Sequence, residues 1–365
     1  MVLRMNSQSK KQCGLTLIEV MIAMVIGLLL LGGTISMFIA NKRVYMEQES
    51  MARMQENARF AMGMMLQDIR MIGYTGCADD LGSVDNHVNG AVGPNLLAFE
   101  NVVEGSENGG NWQPSGSTDV TGTMLPNTDG ITVRYLDDTG LKVQPPYMVT
   151  PSGDLHVQVN NGLIQGEIVG VYDCDKVDVF QISNASPSTS GSIAHNTGTG
   201  TPGNATKPFQ KMYQGNASIV RFVSRRYFIG QGSYGGPSLF REIYAQDKED
   251  SDGDGNTTEV IQQNQELIEG VENMQILYGE DTSGGDKIAD TYVTGNNVTS
   301  WANVVSVRIA LLFRTIKPNA QIAPDTAIHS MLGGTVAGGA TVGPMNDYYR
   351  RRVFTATVQI RNRSI

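Results

Sequence analysis

Leu15 to Ala40 reads LTLIEVMIAMVIGLLLLGGTISMFIA, and Glu19 is its sole ionisable side chain. From Val20 onward 21 residues carry no charge, enough for a helix to cross a bilayer. A carboxylate buried at the centre of such a helix costs at least ~2.5–3.5 kcal/mol, and somewhat less near its end. Glu19 therefore calls for a cation. A second set of candidates is acidic: Asp250, Asp252, Asp254 and Asn256 in DSDGDGN put oxygen donors at alternate positions around glycines, as the start of a Ca2+ loop does. The bidentate acid that would complete such a loop is replaced by Ile261, so Glu259 or a distant side chain would have to serve. The alternative is a solvated acidic turn. Asp281, Ser283, Asp286 and Asp290 form a looser group open to the same two readings.

Other suggestive spacings lose their force in context. Gly230-Gln231-Gly232-Ser233-Tyr234-Gly235 spells GxGxxG, but Gly236-Pro237 and another strand pattern follow it where a dinucleotide site needs a helix. The stretch reads as a hairpin loop. Ser233 is no nucleophile elbow, because Gln231 stands where that turn needs glycine. His87, His156, His195 and His329 show no paired spacing and no recognisable metal or triad context. His195 falls in a Ser/Thr/Gly/Asn-rich loop, a poor base for preorganised catalysis. Nothing in the sequence points to an enzyme.

Cysteine and charge narrow the setting. Cys13 precedes the apolar segment, leaving Cys77 and Cys174 beyond it. An exported pair most often forms a disulfide, and closing so long a loop stabilises by up to about 4.7 kcal/mol in the chain-entropy model. The alternative is two buried thiols. The net charge of −9 lacks any general attraction for phosphate backbones, and it deepens to −12 once Arg4, Lys10 and Lys11 are removed with the first fourteen residues. Arg350, Arg351 and Arg352 read as the solvated end of a strand, or else as a local basic patch.

The elements follow from periodicity. A secretory signal would be cut after the apolar stretch, and a plain anchor has no use for Glu19. Met51, Met54, Ala58, Ala61, Met65, Ile69 and Ile72 recur every three or four residues, with Arg53, Gln55, Glu56, Arg59, Gln67, Asp68 and Arg70 between them. The spacing predicts one proline-free helix over Leu15–Ile72, closed by Gly73 and Gly76. The Met stripe is packing material. Beyond Gly76 alternating runs take over: 131–135, 177–182, 219–229, 239–244, 274–278, 304–313 and 353–360. The expected fold class is α+β, a long N-terminal helix followed by an antiparallel β-rich head. The expected division is a basic leader over residues 1–14, its boundary resting on the resemblance described next, the helix over 15–75 (15–40 transmembrane or filament core) and the head over 76–365.

Gly14-Leu15-Thr16-Leu17-Ile18-Glu19 behind a basic leader resembles the type III signal of type IV prepilins. That resemblance implies cleavage by a prepilin peptidase between Gly14 and Leu15, N-methylation of Leu15, and pairing of Glu19 with the terminal amine of a neighbouring subunit. Family members usually begin with Phe or Met, so Leu15 departs mildly from the pattern. Three further phrases, DCDKVDVF from Asp173, GVENMQILYG from Gly270 and RRVFTATVQIRNR from Arg351, look like the PilW family of minor pilins. The implied partners are other minor pilins, the major pilin, a calcium-binding tip adhesin and the inner membrane, with the head in the periplasm. The competing functions are a binding module at the pilus tip, for an adhesin or DNA, and a minor pseudopilin of a type II secretion system.

Overall fold

With no proline to break it, Leu17–Met71 forms one continuous α-helix, α1. The computed structural model describes residues 14, 16–77, 84–89, 101–113, 124–246, 260–283, 285–332 and 340–362. The chain divides into two compact units, Met1–Arg53 and Met54–Ile365. In the first, the part of α1 that is long and apolar enough to cross a membrane has no buried residue in its most apolar window. Leu17, Leu28, Leu29, Met37 and Phe38 all face outward. So large an apolar surface needs lipid or protein around it.

In the second unit α1 buries Met54, Ala58, Ala61, Met65 and Ile69. Ile72 is buried just past the helix end. The apolar stripe read from the sequence is therefore the buried face, with Met51 half-exposed at its edge. Gly73 and Gly76 take positive φ values of 70° and 80°, conformations open to glycine at little cost. A Cβ at Gly76 would lie 2.5 Å from the Tyr172 ring, so a side chain there is excluded twice over.

The head follows as strands β1 (Val84–Asn86), β2 (Val103–Ser106), β3 (Trp112–Gln113), β4 (Gly130–Lys142), β5 (Leu155–His156), β6 (Ile168–Tyr172), β7 (Val177–Gln181), β8 (Ser192–Ile193), β9 (Ser218–Gln231), β10 (Pro237–Gln246), β11 (Val260–Glu269), β12 (Val271–Glu280), β13 (Thr291–Val293), β14 (Val304–Arg314), β15 (His329–Met331), β16 (Ala340–Val342) and β17 (Arg351–Gln359). One nine-stranded sheet runs β1-β7-β6-β9-β4-β2-β3, with β10 and β11 continuing from β9. A four-stranded sheet runs β13-β12-β14-β17. The long strand β9 organises the larger sheet: it pairs along β4, while its first half meets β6 and its second half β10. Described pairings are antiparallel apart from β1 with β7 and one isolated bridge. The architecture is a long apolar helix followed by a β-rich, mostly antiparallel head.

The GxGxxG stretch is the β9–β10 hairpin loop, closed by Gly232 N–H donating to Gly236 O at 2.7 Å. The low-complexity stretch Ser186 to Pro208 departs from the sequence expectation of a plain loop. It forms a four-residue helix, Pro187–Ser190, and strand β8. Ile193, Ala194 and His195 are buried there. The apolar residues Ile193 and Phe209 join a core cluster with Phe180, Tyr213 and Ile219, and this outweighs the polar composition around them.

His195 stacks on Phe209 with ring centroids 3.9 Å apart. Burial, with help from the charges of Lys207 and His87, pushes its pKa down to about 4. A histidine that binds its proton less tightly when folded makes stability fall as pH drops from about 6.5 toward about 4, by roughly 3 kcal/mol in all. We expect His195→Phe to remove that share of acid destabilisation, leaving a flatter profile when denaturation midpoints are compared at pH 7 and pH 4.5. An unchanged slope would place the acid sensitivity elsewhere.

Candidate functional site

The start of α1 explains part of what Glu19 does within one chain. Thr16-Leu17-Ile18-Glu19 has the spacing of a capping box, a hydroxyl residue followed three positions later by a carboxylate. Glu19 Oε2 accepts from both the N–H and the Oγ1–H of Thr16, each at 3.0 Å. The Glu19 N–H lies 3.4 Å from Thr16 Oγ1. The sequence signal for this box is the T-x-x-E word itself, which stands at the head of the apolar run. These bonds satisfy donors at the helix start and set a negative charge near the positive end of the helix dipole. They supply no countercharge. Gly14 lies just before the helix, and a Cβ added there would meet no described atom within 4 Å. Leu15 is outside the described residues.

The carboxyl-terminal half of α1 is held by a second carboxylate on an apolar face. Asp68 is buried, although the sequence reading put it on the polar side. It sits one turn beyond Met65 and beside Ile69, on the edge of the stripe that packs inward. Asp68 Oδ1 receives Tyr135 O–H at 3.0 Å from β4 and Arg225 N–H at 2.5 Å from β9. Tyr227 of β9 donates to Oδ2 at 2.5 Å. Burial, reinforced by the Asp68 charge, raises the Tyr135 and Tyr227 pKa values well above the ordinary tyrosine range. Both keep their protons and donate. A helix carboxylate thus clamps two neighbouring strands through three donors, and charge-assisted bonds of this kind are among the strongest available.

Immediately beyond the helix, Gly73 N–H donates to Arg134 O and Leu136 N–H to Tyr74 O, stitching the turn to β4. Cys77 and Cys174 form a disulfide, with Cα atoms 4.6 Å apart and a sequence separation of 97. It ties the helix exit to the turn between β6 and β7.

The acidic candidates fare differently. Asp250, Asp252, Asp254 and Asn256 lie outside the described residues. In the looser group, Asp290 accepts from the hydroxyls of Thr282 and Ser283, Asp281 from Gly285 and Lys287 N–H, and Asp286 from Ile288 N–H. Those carboxylates brace their own loop. The histidines also revise the sequence reading. His87 lies against Asp85 and Asp178, a cluster that no local spacing could reveal because Asp178 is 91 residues away. His329 pairs with Asp325 at 2.9 Å. Arg351 is neither a solvated strand end nor part of an exposed basic patch. Its guanidinium is fully buried among Glu272, Asp325 and Asp347, which three carboxylates on neighbouring segments make affordable in free energy.

Two family models match the sequence. Residues 226–362 match one described as Type IV Pilus-assembly protein W, and residues 9–35 match the prokaryotic N-terminal methylation motif. No curated protein matches the chain, and no solved structure does.

Proposed function

The chain belongs to the PilW family of type IV pilus-assembly proteins and opens with a prokaryotic N-terminal methylation motif; from this we propose that it is a minor pilin that helps prime a pilus and is built into it. A prepilin peptidase cuts between Gly14 and Leu15, and Leu15 becomes the N-methylated mature terminus. Before assembly α1 anchors the chain once in the inner membrane, with the head in the periplasm. During assembly the exposed apolar surface of α1 exchanges lipid for the helices of other minor pilins and the major pilin. The role is structural and needs no catalytic group in the head.

The observation that carries this reading is the bare apolar start of α1 beside a carboxylate whose hydrogen-bond partners among the described residues are neutral. In a low-dielectric bundle the freed amine of a neighbouring subunit offsets the desolvation of Glu19, and Glu19 offsets that of the amine. The capping box gives a way to separate charge from helix capping. Glu19→Gln keeps an oxygen for the Thr16 N–H but loses the charge; Glu19→Ala loses both. We expect both variants to be cleaved and inserted normally, yet to fall more than about tenfold in sheared pili, equivalent to at least ~1.4 kcal/mol. Full incorporation of Glu19→Gln would mean that capping, and not charge pairing, is what assembly needs.

A further inference from the structure

Asp85 and Asp178 are register partners on the parallel strands β1 and β7, so both side chains leave the sheet on one face. His87, two residues on, shares that face. Its backbone is fixed on both sides, the N–H donating to Val179 O and the carbonyl accepting from Ala205 N–H. The result is a buried imidazole between two carboxylates. His87 Nε2 lies 2.6 Å from Asp178 Oδ1 and 3.8 Å from Asp85 Oδ2. The three donor atoms all fall within 4.8 Å of one another.

Each buried donor is oriented from behind. Thr206 Oγ1 lies 2.6 Å from His87 Nδ1. Asp178 Oδ2 accepts from Tyr213 O–H at 2.5 Å, and both of its oxygens face the Gln210 N–H, at 3.1 and 3.4 Å. Supports of this kind fix the tautomer and raise the basicity of metal ligands. Asp85 stands at the rim with about half of its side chain exposed, giving an ion a way in. The charge balance asks for one: two carboxylates face at most a single imidazolium, and the nearby Lys211 is taken by Asp173 and Asp175.

We propose that Asp85, His87 and Asp178 bind a divalent transition metal, Zn2+ foremost, which clamps the edge strand β1 to β7. Nitrogen and carboxylate donors suit Zn2+, whereas Ca2+ and Mg2+ prefer oxygen alone. Tetrahedral Zn2+ separates its ligand atoms by about 3.3 Å. To meet that spacing the His87–Asp178 pair opens by roughly 0.7 Å, Asp85 closes on His87 by about 0.5 Å, and the two carboxylates, within 4.8 Å of each other, close by up to about 1.5 Å. The Nε2 lone pair then faces the ion, and Nδ1–H donates to Thr206, whose hydroxyl can accept. The fourth position is left to water. This site is independent of how α1 assembles.

The test uses untagged, processed full-length chain in detergent, stripped with chelator and titrated with ZnCl2 in competition with a chromophoric chelator. One Zn2+ should bind per chain, and at ~100-fold excess over Kd the thermal midpoint should rise by about 3 °C. Asp85→Asn alters a rim residue and should leave the metal-free midpoint within about 1 °C, while weakening Zn2+ binding by more than about 100-fold and abolishing the rise. Thr206→Val should cost about tenfold in affinity. Failure of Zn2+ to bind, binding unchanged in Asp85→Asn, or a midpoint that answers to CaCl2 but not to ZnCl2 would each overturn the proposal.

Discussion

Replacing Asp68 by Ala is expected to destabilise the head by about 3–5 kcal/mol, the range for removing one partner of a buried ion pair. The change strands Arg225 and two tyrosine hydroxyls at once, and each buried donor left without an acceptor adds about 1–3 kcal/mol of desolvation. These terms share one site and do not simply add. Arg225 is partly exposed and recovers some hydration, which holds the total within the stated range. Asp68→Asn keeps an acceptor oxygen and should cost about half as much. Denaturation followed by emission from Trp112 and Trp301, the two tryptophans of the chain, measures both. A loss for Asp68→Ala of less than about 1 kcal/mol, the usual scale for exposed pairs, would show that the clamp contributes little. If, as proposed above, the apolar end of α1 is the assembly surface, a loosened clamp at its other end should also lower the amount of head carried on a pilus.

Opening the Cys77–Cys174 bridge should have an effect of similar size. A loop of 97 residues corresponds to nearly 4.7 kcal/mol of lost chain entropy in the unfolded state, and native disulfides typically contribute about 2–5 kcal/mol. The backbone adds a discriminating detail. Cys174 sits at φ 72°, a conformation that costs a non-glycine residue roughly 1–2 kcal/mol. Cys174→Gly should therefore be about 1 kcal/mol less damaging than Cys174→Ser, although both break the same bridge. Equal losses would show that the turn at 174 stores no such strain. Reductant should shift the wild-type midpoint and leave both variants unmoved.

Much of this architecture was legible because the patterns that report it are local. Glycines after an unbroken three-and-four repeat mark the end of α1, and the alternating runs map onto β4, β7, β9, β10, β12, β14 and β17. The polar Gln-rich strand β11 was not legible, since its residues carry no apolar alternation and it is held by its pairing with β10. Asp68 and Arg351 misled for a common reason: a charge on a surface-like position reads as solvated until its partners, contributed by remote strands, are in place. The Asp85–His87–Asp178 cluster has the same origin in a parallel strand pairing that joins residues 84–86 to 177–179. The word Thr16-Leu17-Ile18-Glu19 was in plain view, but the apolar run drew the whole explanation of Glu19 toward a partner subunit. In fact one carboxylate has two tasks, capping its helix in the single chain and, on the proposal above, meeting an amine in the filament.

The mature amino terminus decides the central claim most directly. Intact-mass and terminal-peptide analysis of the chain recovered from sheared pili should find it beginning at Leu15 with one N-methyl group. A chain that retains Met1 would leave Glu19 without the amine on which the account depends, and one that begins beyond Ala40 would lack Glu19 itself.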